Sequence, residues 1–369
     1  MILSEEQSEA VAAVKTWWNS KRQVFELSGA AGTGKTTLAK FITSELGLKD
    51  SEVVYCAFTG KAALVLAQKG CKPSSTVHSL IYKAKQDEYT GDWNFDLDKT
   101  VLKAAGIKLV ILDEAPMLGE DVALDLVSCG VKILALGDKW QLPPVNAKAY
   151  FGLGEPNFLL TEIHRQAADN PIITLATLAR NGGMLKPGSY GESRVIKAKK
   201  FADKDILESD IVLCGKNETR HYLNNLYRQA AGMAEFGVEP QIGERLICLR
   251  NNKDKGFLNG QMFRVVSQVS DGQDVRCEVL PEDFPETLPS KISTPIQYFN
   301  GEESKLDWKV RANCDEFGFG WTISVHKSQG SQFDHVMIFD QSKAFREHAR
   351  NHLYTAITRA KDKVTIYID

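Results

Sequence analysis

A glycine-rich segment between an apolar run and an amphipathic run constrains the fold of this chain more than any other feature. Residues 29–36 read Gly-Ala-Ala-Gly-Thr-Gly-Lys-Thr and match the phosphate-loop pattern G-x-x-x-x-G-K-[ST] in full. The apolar run at 24–27 predicts a buried strand, and residues 38–46 have apolar positions at helical spacing. Because strand, loop and helix follow in the required order, we predict a site for nucleotide phosphates. A glycine-rich turn that binds nothing is the alternative, which the full match disfavours.

The chemistry of this loop gives each position a role. Glycine lets the backbone wrap a polyphosphate, so that N–H groups and the helix N-terminus face negative charge. We expect the Lys35 ammonium to reach the β- and γ-phosphates and the Thr36 hydroxyl to bind Mg²⁺. The expected nucleotide-binding positions of the loop are Gly32, Thr33, Gly34, Lys35, Thr36 and Thr37.

Two later strands end in polar residues that suit the same site. The apolar run 109–112 ends in Asp113 and Glu114, an acidic pair of the Walker B type. We expect Asp113 to hold Mg²⁺ through a water molecule and Glu114 to orient or deprotonate the attacking water. The run 131–136 leads into a proline-containing loop, where Gln141 is suited to contact the γ-phosphate or the water. Because parallel strands present their carboxyl ends at one edge, we predict one parallel sheet with its site there.

The first predicted helix carries an amide with two possible roles. Ser4 and Gln7 form a capping-box pattern at the start of a helix expected to end near Trp18. Gln7 could serve that cap. Its amide could instead read the adenine edge beside the phosphate loop, since it can donate and accept a hydrogen bond at once. The spacing alone favours neither role.

Length and composition set the class of protein. A chain of 369 residues is expected to form two to three domains. None of its apolar runs approaches the ~20 residues of a membrane span, and its N-terminus lacks the regions of a signal peptide, so we expect a cytoplasmic protein with no membrane partner. Seven scattered cysteines without a C-x-x-C pair predict reduced thiols and disfavour zinc. A net charge of −2 argues against a charge-driven nucleic-acid binder but allows a local groove.

Hydroxyl and basic residues follow two further predicted strand ends. The run 53–58 is followed by Thr59 and Lys61, and the next polar stretch contains Thr76 and His78. Such groups at a strand's carboxyl end could hold a nucleic-acid phosphate. The alternative is an ordinary β–α turn with a solvated lysine and a structural histidine, and either stretch alone favours it.

Residues 82–106 interrupt the α/β pattern. A turn signal flanked by aromatic residues, between Tyr89 and Phe95, predicts a small hairpin. Exposed aromatic side chains there could stack on bases or wedge a duplex open. A small insertion with its own satellite core is the alternative.

A second α/β pattern occupies the C-terminal half and lacks a phosphate loop of its own. Its first strand is predicted at 210–214, its closing helix at 353–361 and its last strand at 364–368. Residues 240–319 change to short strands separated by turns, which predicts a small β-barrel-like insertion. The strands expected in this insertion are 245–249, 260–268, 275–280 and 308–314.

Together these segments resemble the motifs of a superfamily 1 class B helicase of the RecD-like and Dda-like group, over almost the whole chain. The phosphate loop, the acidic pair and the glutamine loop are specific in combination. The compact length suggests a phage-type member. One departure is Pro116, which stands where the family more often has a small hydroxyl residue. The other motif matches are Gln7, 59–61, 76–79, 160–165, 322–330 and 354–359.

The resemblance implies an α/β fold with two RecA-like P-loop domains of parallel sheets, ATP in the cleft between them and single-stranded DNA across both. It implies that Arg165 and Arg359 reach the γ-phosphate, where bidentate positive charge suits the separating phosphates. The implied domains are 1A at 1–81 and 107–157, a pin-bearing 1B at 82–106, 2A at 158–239 and 320–369, and an SH3-like 2B at 240–319. The residues expected along the DNA are Thr59, Lys61, Thr76, His78, Asn259, His326 and Lys327.

The implied activity is ATP-dependent, 5′-to-3′ translocation on single-stranded DNA with unwinding of duplex at forks, in replication, recombination or repair. A monomer is expected, with a single-stranded DNA-binding protein or replisome component as a candidate partner. One alternative is a DNA-stimulated ATPase that translocates or remodels nucleoprotein without unwinding. A second is an RNA helicase, since no residue visibly reads a 2′-hydroxyl. A non-catalytic DNA-binding module is disfavoured by the intact nucleotide-site residues.

Overall fold

The structure is a computed structural model, and it divides the chain into two compact units, Met1–Ile173 and Thr174–Asp369. In the part of the chain that the structure describes, no helix is both long and apolar enough to cross a membrane. The described residues are 3–86, 93–144, 147–162, 170–197, 201–252, 254–270 and 274–368.

The first unit is built from short strands and helices that alternate along the chain. Two 3-10 helices, Asp50–Glu52 and Ala115–Met117, complete it. Its helices are α1 (Glu5–Trp18), α2 (Lys35–Glu45), α3 (Gly60–Gln68), α4 (Val77–Ile81), α5 (Val101–Ala104) and α6 (Glu120–Ser128). Its strands are β1 (Val24–Gly29), β2 (Val53–Ala57), β3 (Ser74–Thr76), β4 (Tyr82–Gln86), β5 (Trp93–Leu97), β6 (Leu109–Leu112), β7 (Lys132–Gly137) and β8 (Phe158–Leu160).

Six of these strands form one parallel sheet in the order β3-β2-β6-β7-β1-β8. All four residues of β6 are buried, as expected for a central strand covered on both faces. The predicted parallel sheet is confirmed. The expected start of domain 2A at residue 158 is wrong, because β8 pairs with β1, Leu27 opposite Phe158, and therefore belongs to the first sheet.

The remaining two strands form the hairpin predicted within 82–106. Strands β4 and β5 pair antiparallel, with Tyr82 opposite Leu97 and Gln86 opposite Trp93. The predicted turn residues 89–92 lie outside the described residues. Strand β4 follows α4 without an intervening loop, so the hairpin begins where that helix ends.

The second unit contains a second six-stranded sheet and an inserted sheet. Three 3-10 helices, Ala234–Phe236, Glu303–Lys305 and Ser342–His348, connect its elements. Its helices are α7 (Pro171–Arg180, which begins at the unit boundary), α8 (Asp203–Glu208), α9 (Asn217–Ala230), α10 (Gln297–Asn300), α11 (Trp308–Asn313), α12 (Val325–Ser328) and α13 (Ala349–Ile357). Its strands are β9 (Gly188–Tyr190), β10 (Ser193–Lys197), β11 (Ile211–Cys214), β12 (Arg245–Cys248), β13 (Met262–Ser270), β14 (Asp274–Pro281), β15 (Ser290–Pro295), β16 (Phe317–Phe319), β17 (Thr322–Ser324), β18 (Phe333–Phe339) and β19 (Ala360–Ile368).

The larger sheet of this unit has the order β17-β11-β18-β19-β10-β9 and is parallel except for the β9–β10 pair. The second parallel α/β sheet predicted from the sequence is therefore confirmed. The predicted closing helix ends early, since α13 stops at Ile357 and β19 already begins at Ala360.

The inserted sheet is antiparallel and has five strands in the order β15-β14-β13-β12-β16. One edge strand lies beside the residues that lead into the other: the N–H of Asp315, two residues before β16, donates to the carbonyl of Ser293 in β15 at 3.0 Å, and the Ser293 N–H donates to Asp315 Oδ2 at 3.1 Å. These bonds curl the sheet toward a barrel, as predicted. The strand expected at 308–314 is wrong: residues 308–313 form α11, which Asp307 caps, and the sequence reading missed β15.

Candidate nucleotide and nucleic-acid sites

The phosphate loop adopts the strand–loop–helix geometry that its sequence requires. Gly32 and Gly34 have φ angles of 86° and 78°, in the left-handed region that favours glycine. Lys35 begins α2, and its ammonium donates to the carbonyls of Gly29 at 2.7 Å and Ala30 at 3.1 Å. The lysine charge is thus held against the rim of its own loop, beside the N-terminus of α2.

Thr36 and Asp113 meet at the carboxyl edge of the first sheet. The Thr36 hydroxyl donates to Asp113 Oδ2 at 3.2 Å, which joins the phosphate loop to the residue that follows β6. Burial raises the pKa of the Asp113 carboxyl, and repulsion from Glu114 raises it further, against the attraction of Lys35. A hydroxyl and a carboxylate are hard oxygen ligands of the kind that Mg²⁺ prefers, and a divalent cation would relieve the repulsion between the two carboxylates. The residues therefore fit the predicted magnesium site.

Glu114 has a backbone conformation that few side-chain-bearing residues adopt. Its φ and ψ angles are 52° and 39°, and its N–H donates to Asp113 Oδ1 at 3.0 Å. A left-handed residue other than glycine costs on the order of 1–3 kcal/mol and is retained where the surroundings enforce it. Here the left-handed Glu114 ends the course of β6 and starts the 3-10 helix Ala115–Met117.

Pro116 packs where a hydroxyl residue was expected from the resemblance. A Cβ atom on Gly137, the last residue of β7, would lie 2.5 Å from Pro116 Cδ, so only glycine fits beneath the proline ring. Gly152 also lies against this ring, with a virtual Cβ at 3.3 Å from Pro116 Cγ. Apolar contact therefore joins the turn after β6 to the end of β7, in place of a hydroxyl-mediated link.

Gln141 lies in the loop after β7 and is buried. Asp138 shapes this loop: its carbonyl accepts from the Gln141 N–H at 3.0 Å and its Oδ1 accepts from the Trp140 N–H at 3.1 Å. Asp138 is only 1% exposed. The sequence alone assigns no role to Asp138.

Gln7 takes part in the helix cap and also contacts the phosphate loop. Its Oε1 accepts from the Ser4 N–H at 3.2 Å, and the Ser4 hydroxyl accepts from the Gln7 N–H at 3.3 Å, which confirms the capping box. Its Nε2 donates to the Thr33 carbonyl at 3.3 Å. The two roles weighed from the sequence are therefore compatible in position, and adenine recognition by Gln7 stays a prediction.

Glu6 is a site residue that the sequence reading missed. Its carboxylate accepts from the N–H and hydroxyl of Thr161, at 2.8 and 2.7 Å, and from the N–H of Glu162 at 2.7 Å. Burial would raise the pKa of Glu6, but these hydrogen bonds outweigh it and lower the pKa. Glu6 thus fixes the chain just before Arg165, which itself lies outside the described residues.

The predicted DNA contacts of the first unit lie on adjacent strand ends. Thr59 and Thr76 are the N-cap residues of α3 and α4, and their hydroxyls accept from Ala62 and Ser79. Because β2 pairs with β3, Ala57 opposite Thr76, the two caps lie at the same sheet edge. The other two predicted contacts, Lys61 and His78, belong to the first turns of these helices.

In the second unit the structure joins Lys327 to Asn259. The Lys327 ammonium donates to Asn259 Oδ1 at 3.2 Å, which links α12 to the tight turn of the inserted sheet. Burial lowers the pKa of Lys327, and the nearby Arg220 lowers it further. His326 precedes it and has its pKa lowered by burial and by His348. This brings the three predicted DNA residues of the second unit together.

Arg359 is buried at the end of α13 and held by its own unit. Its Nε donates to the Thr355 carbonyl at 3.1 Å, its Nη1 to the Ser331 carbonyl at 3.3 Å and its Nη2 to the Thr358 hydroxyl at 3.3 Å. These bonds order the side chain within its own unit, and a role of Arg359 at the γ-phosphate stays a prediction.

Two known families match parts of the chain. Residues 2–198 match the family described as AAA domain, and residues 319–367 match the UvrD-like helicase C-terminal domain. The first match contains the phosphate loop, the acidic pair and Gln141. The second contains the Lys327 and Arg359 region.

Two curated relatives are helicases. The ATP-dependent RecD2 DNA helicase of Deinococcus radiodurans is 25% identical over 98% of this chain and 48% of the relative. The ATP-dependent DNA helicase dda of Enterobacteria phage T4 is 31% identical over 49% of this chain and 43% of the relative. The chain therefore spans about half the length, or less, of these relatives.

A solved structure shares the fold of the whole chain. The crystal structure of Pif1 helicase from Bacteroides in complex with ADP-AlF3 and ssDNA has a TM-score of 0.57 and 18% identity, and the match covers 99% of this chain and 92% of the Pif1 chain. At this identity the likeness establishes the fold alone.

Proposed function

Since this chain belongs to the AAA domain family, we propose that it is a helicase of the superfamily 1 class B type, which couples ATP hydrolysis to movement along single-stranded DNA and to duplex unwinding. The proposal includes 5′-to-3′ polarity and action at forks. Similarity to RecD2 and dda supports ATP use and a DNA substrate, and the single-stranded DNA in the Pif1 structure supports a strand on this fold.

One observation carries the proposal. The Thr36 hydroxyl lies 3.2 Å from Asp113 Oδ2, at the sheet edge where Lys35 begins α2. These are the three side chains that a P-loop site uses for the metal and the terminal phosphates, and they come from segments 77 residues apart in the chain. A glycine-rich turn that binds nothing would not require a half-buried acid opposite its threonine.

Bound Mg²⁺ would neutralise charge on the β- and γ-phosphates, with Thr36 and Asp113 as the protein groups that hold it, Asp113 through water. The other residues have separate roles. Glu114 orients or deprotonates the attacking water, Gln141 contacts that water or the γ-phosphate, and Arg359 supplies positive charge as the phosphates separate. Arg165 has the same proposed role as Arg359.

For DNA we propose contacts by hydroxyl caps and a few cations. Thr59 and Thr76 are the N-cap residues of α3 and α4 and lie at one edge of the first sheet. In the second unit, Lys327 and Asn259 form a polar pair. Backbone N–H groups at a helix start bind phosphate without reading sequence, which suits a protein that moves along any strand. We further propose that a monomer performs the reaction.

The test is unwinding of two duplexes, one with a 5′ single-stranded tail and one with a 3′ tail, with a Lys35→Ala control. We expect ATP-dependent unwinding of the 5′-tailed duplex alone, lost in the control. Unwinding from the 3′ tail would overturn the polarity. DNA-stimulated hydrolysis without unwinding of either would select a translocase that does not separate strands, and preference for an RNA strand would overturn the DNA assignment.

A further inference from the structure

Tyr82 stands where three elements of the first unit meet. It is the first residue of β4 and the C-cap residue of α4, the helix that carries His78. Its side chain reaches a third element, α6, which follows the acidic pair and the 3-10 helix Ala115–Met117. One residue therefore joins the hairpin, a predicted DNA-contact helix and the helix that follows the nucleotide-site acids.

The contact with α6 is a short hydrogen bond. The Tyr82 hydroxyl donates to Asp125 Oδ2 at 2.5 Å, and burial together with this carboxylate raises the tyrosine pKa. Hydrogen bonds to a charged partner are shorter and stronger than neutral ones. Because Asp125 lies in the middle of α6, the bond holds the start of the hairpin to a helix of the nucleotide-binding unit rather than to a loop.

The ring of Tyr82 makes a second contact, with the predicted DNA-binding helix. The His78 and Tyr82 rings stack with centroids 5.6 Å apart and planes 29° apart, and Phe58 lies 6.1 Å from the histidine on the β2 side. A shift of α4 on the DNA is therefore passed to the ring at the base of the hairpin. The hydroxyl and the ring of Tyr82 serve different partners, which allows them to be separated by mutation.

Two other contacts lie at the base of the hairpin. The Lys83 ammonium lies 2.6 Å from Asp98 Oδ2, but the lysine side chain is 68% exposed, and such pairs add little stability. The Asp98 N–H also donates to the Ile81 carbonyl at 2.8 Å, which closes the base of the hairpin. Neither contact connects the hairpin to α6.

We propose that Tyr82 is a positioning residue that fixes the hairpin to α6 through Asp125, and that this bond is needed for strand separation but not for ATP hydrolysis or translocation. The inference rests on the proposed helicase function. In this proposal the hydrogen bond to Asp125 fixes the orientation of the hairpin relative to α6. The His78–Tyr82 stack couples that orientation to the position of α4 on the DNA strand.

The test compares Tyr82→Phe with Asp125→Asn. Tyr82→Phe removes the hydroxyl and keeps the ring on His78, whereas Asp125→Asn keeps an oxygen that can accept from the tyrosine. For Tyr82→Phe we expect a severalfold lower unwinding rate on a forked duplex, with unchanged DNA-stimulated hydrolysis and unchanged translocation on single strands. Asp125→Asn keeps an acceptor but loses its charge, so its unwinding rate should lie between those of the wild type and Tyr82→Phe.

Hydrogen exchange supplies a readout that does not depend on unwinding. In Tyr82→Phe the amides of β4 and β5 should exchange about tenfold faster, the order expected when one hydrogen bond to a charged group is lost. Exchange in β6 and β7 should not change. Tyr190→Phe is the matched control, because it also removes a tyrosine hydroxyl bond, to the Lys186 carbonyl, in the second unit.

Three results would overturn the inference: unchanged exchange in β4 and β5, a parallel loss of unwinding and translocation in Tyr82→Phe, or an Asp125→Asn variant as impaired as Tyr82→Phe. If the wild-type protein unwinds no substrate, the proposed function fails separately. Exchange then decides alone whether Tyr82 holds the hairpin to α6.

Discussion

Replacing Lys327 by methionine should halve the salt dependence of DNA binding. Of the seven predicted DNA contacts only Lys61 and Lys327 are lysines, and burial lowers the pKa of the two histidines, His78 and His326, which disfavours their charged forms. Each phosphate neutralised on a single strand contributes about 0.7 to the slope of log K against log salt, so two cations predict a slope of about −1.4. Lys327→Met removes one cation and should leave a slope of about −0.7.

The assay is a titration of a fluorescent single strand with the protein at several salt concentrations. Lys361→Met is the matched control, since Lys361 is 51% exposed and pairs with Asp334 at 2.9 Å; its slope should equal that of the wild type. An unchanged slope in Lys327→Met would show that Lys327 does not neutralise a phosphate of the bound strand. A wild-type slope far steeper than predicted would show that other cations hold phosphates.

The pH dependence of the same binding follows from the environment of Lys327. Its pKa is lowered, so the cation is present below that lowered pKa and is lost as the pH rises through it. The difference in affinity between wild type and Lys327→Met should therefore disappear on the alkaline side before the ordinary lysine pKa of about 10.4 is reached. A difference that persists to that pH would contradict the role of burial.

Three further changes test the nucleotide site and the second unit. Lys35→Ala should abolish ATP hydrolysis, measured as phosphate release, because no other described side chain of the loop brings a positive charge to the phosphates. Arg359→Ala should lower kcat far more than it lowers ATP affinity. A near-normal kcat would show that Arg359 does not act on the γ-phosphate during hydrolysis. Glu244→Ala should lower the free energy of unfolding by about 3–5 kcal/mol, since it leaves the Arg228 charge buried without the carboxylate that now lies 2.8 Å away. Thermal unfolding checks it, and a loss below about 1 kcal/mol, the scale of exposed pairs, would contradict it.

The nucleotide site could be predicted from the sequence because its determinants are local. The phosphate loop needs a strand, two glycines in left-handed conformations and a helix, and all of them lie between Val24 and Glu45. Asp113 and Glu114 follow a strand so apolar that only a central position suits it. The carboxyl-edge rule then places the distant segments at one site without any knowledge of their contacts.

The errors fall on short segments whose pattern fits two structures. Residues 308–314 alternate apolar and polar side chains, which is typical of a strand. Residues 308–313 nevertheless form a helix, and every one of them is exposed. The alternation therefore does not correspond to one buried and one exposed face. Strand β8 has only three residues, and its membership of the first sheet depends on pairing with β1, 131 residues earlier in sequence. Local patterns carry no information on such a pairing.

Residues that position the site were the hardest to recognise, because their partners are distant in sequence. Glu6 contacts Thr161, 155 residues away, and Tyr82 contacts Asp125, 43 residues away. Gln7 illustrates the same limit: the sequence predicted either helix capping or adenine recognition, and the amide makes the cap with its oxygen, which accepts from Ser4, and also contacts the phosphate loop with its nitrogen, which donates to Thr33. Adenine recognition by Gln7 stays a prediction. Helix α1 is thereby tied to the phosphate loop, and a ligand that moves the loop would also move the helix on which Glu6 holds the chain before Arg165.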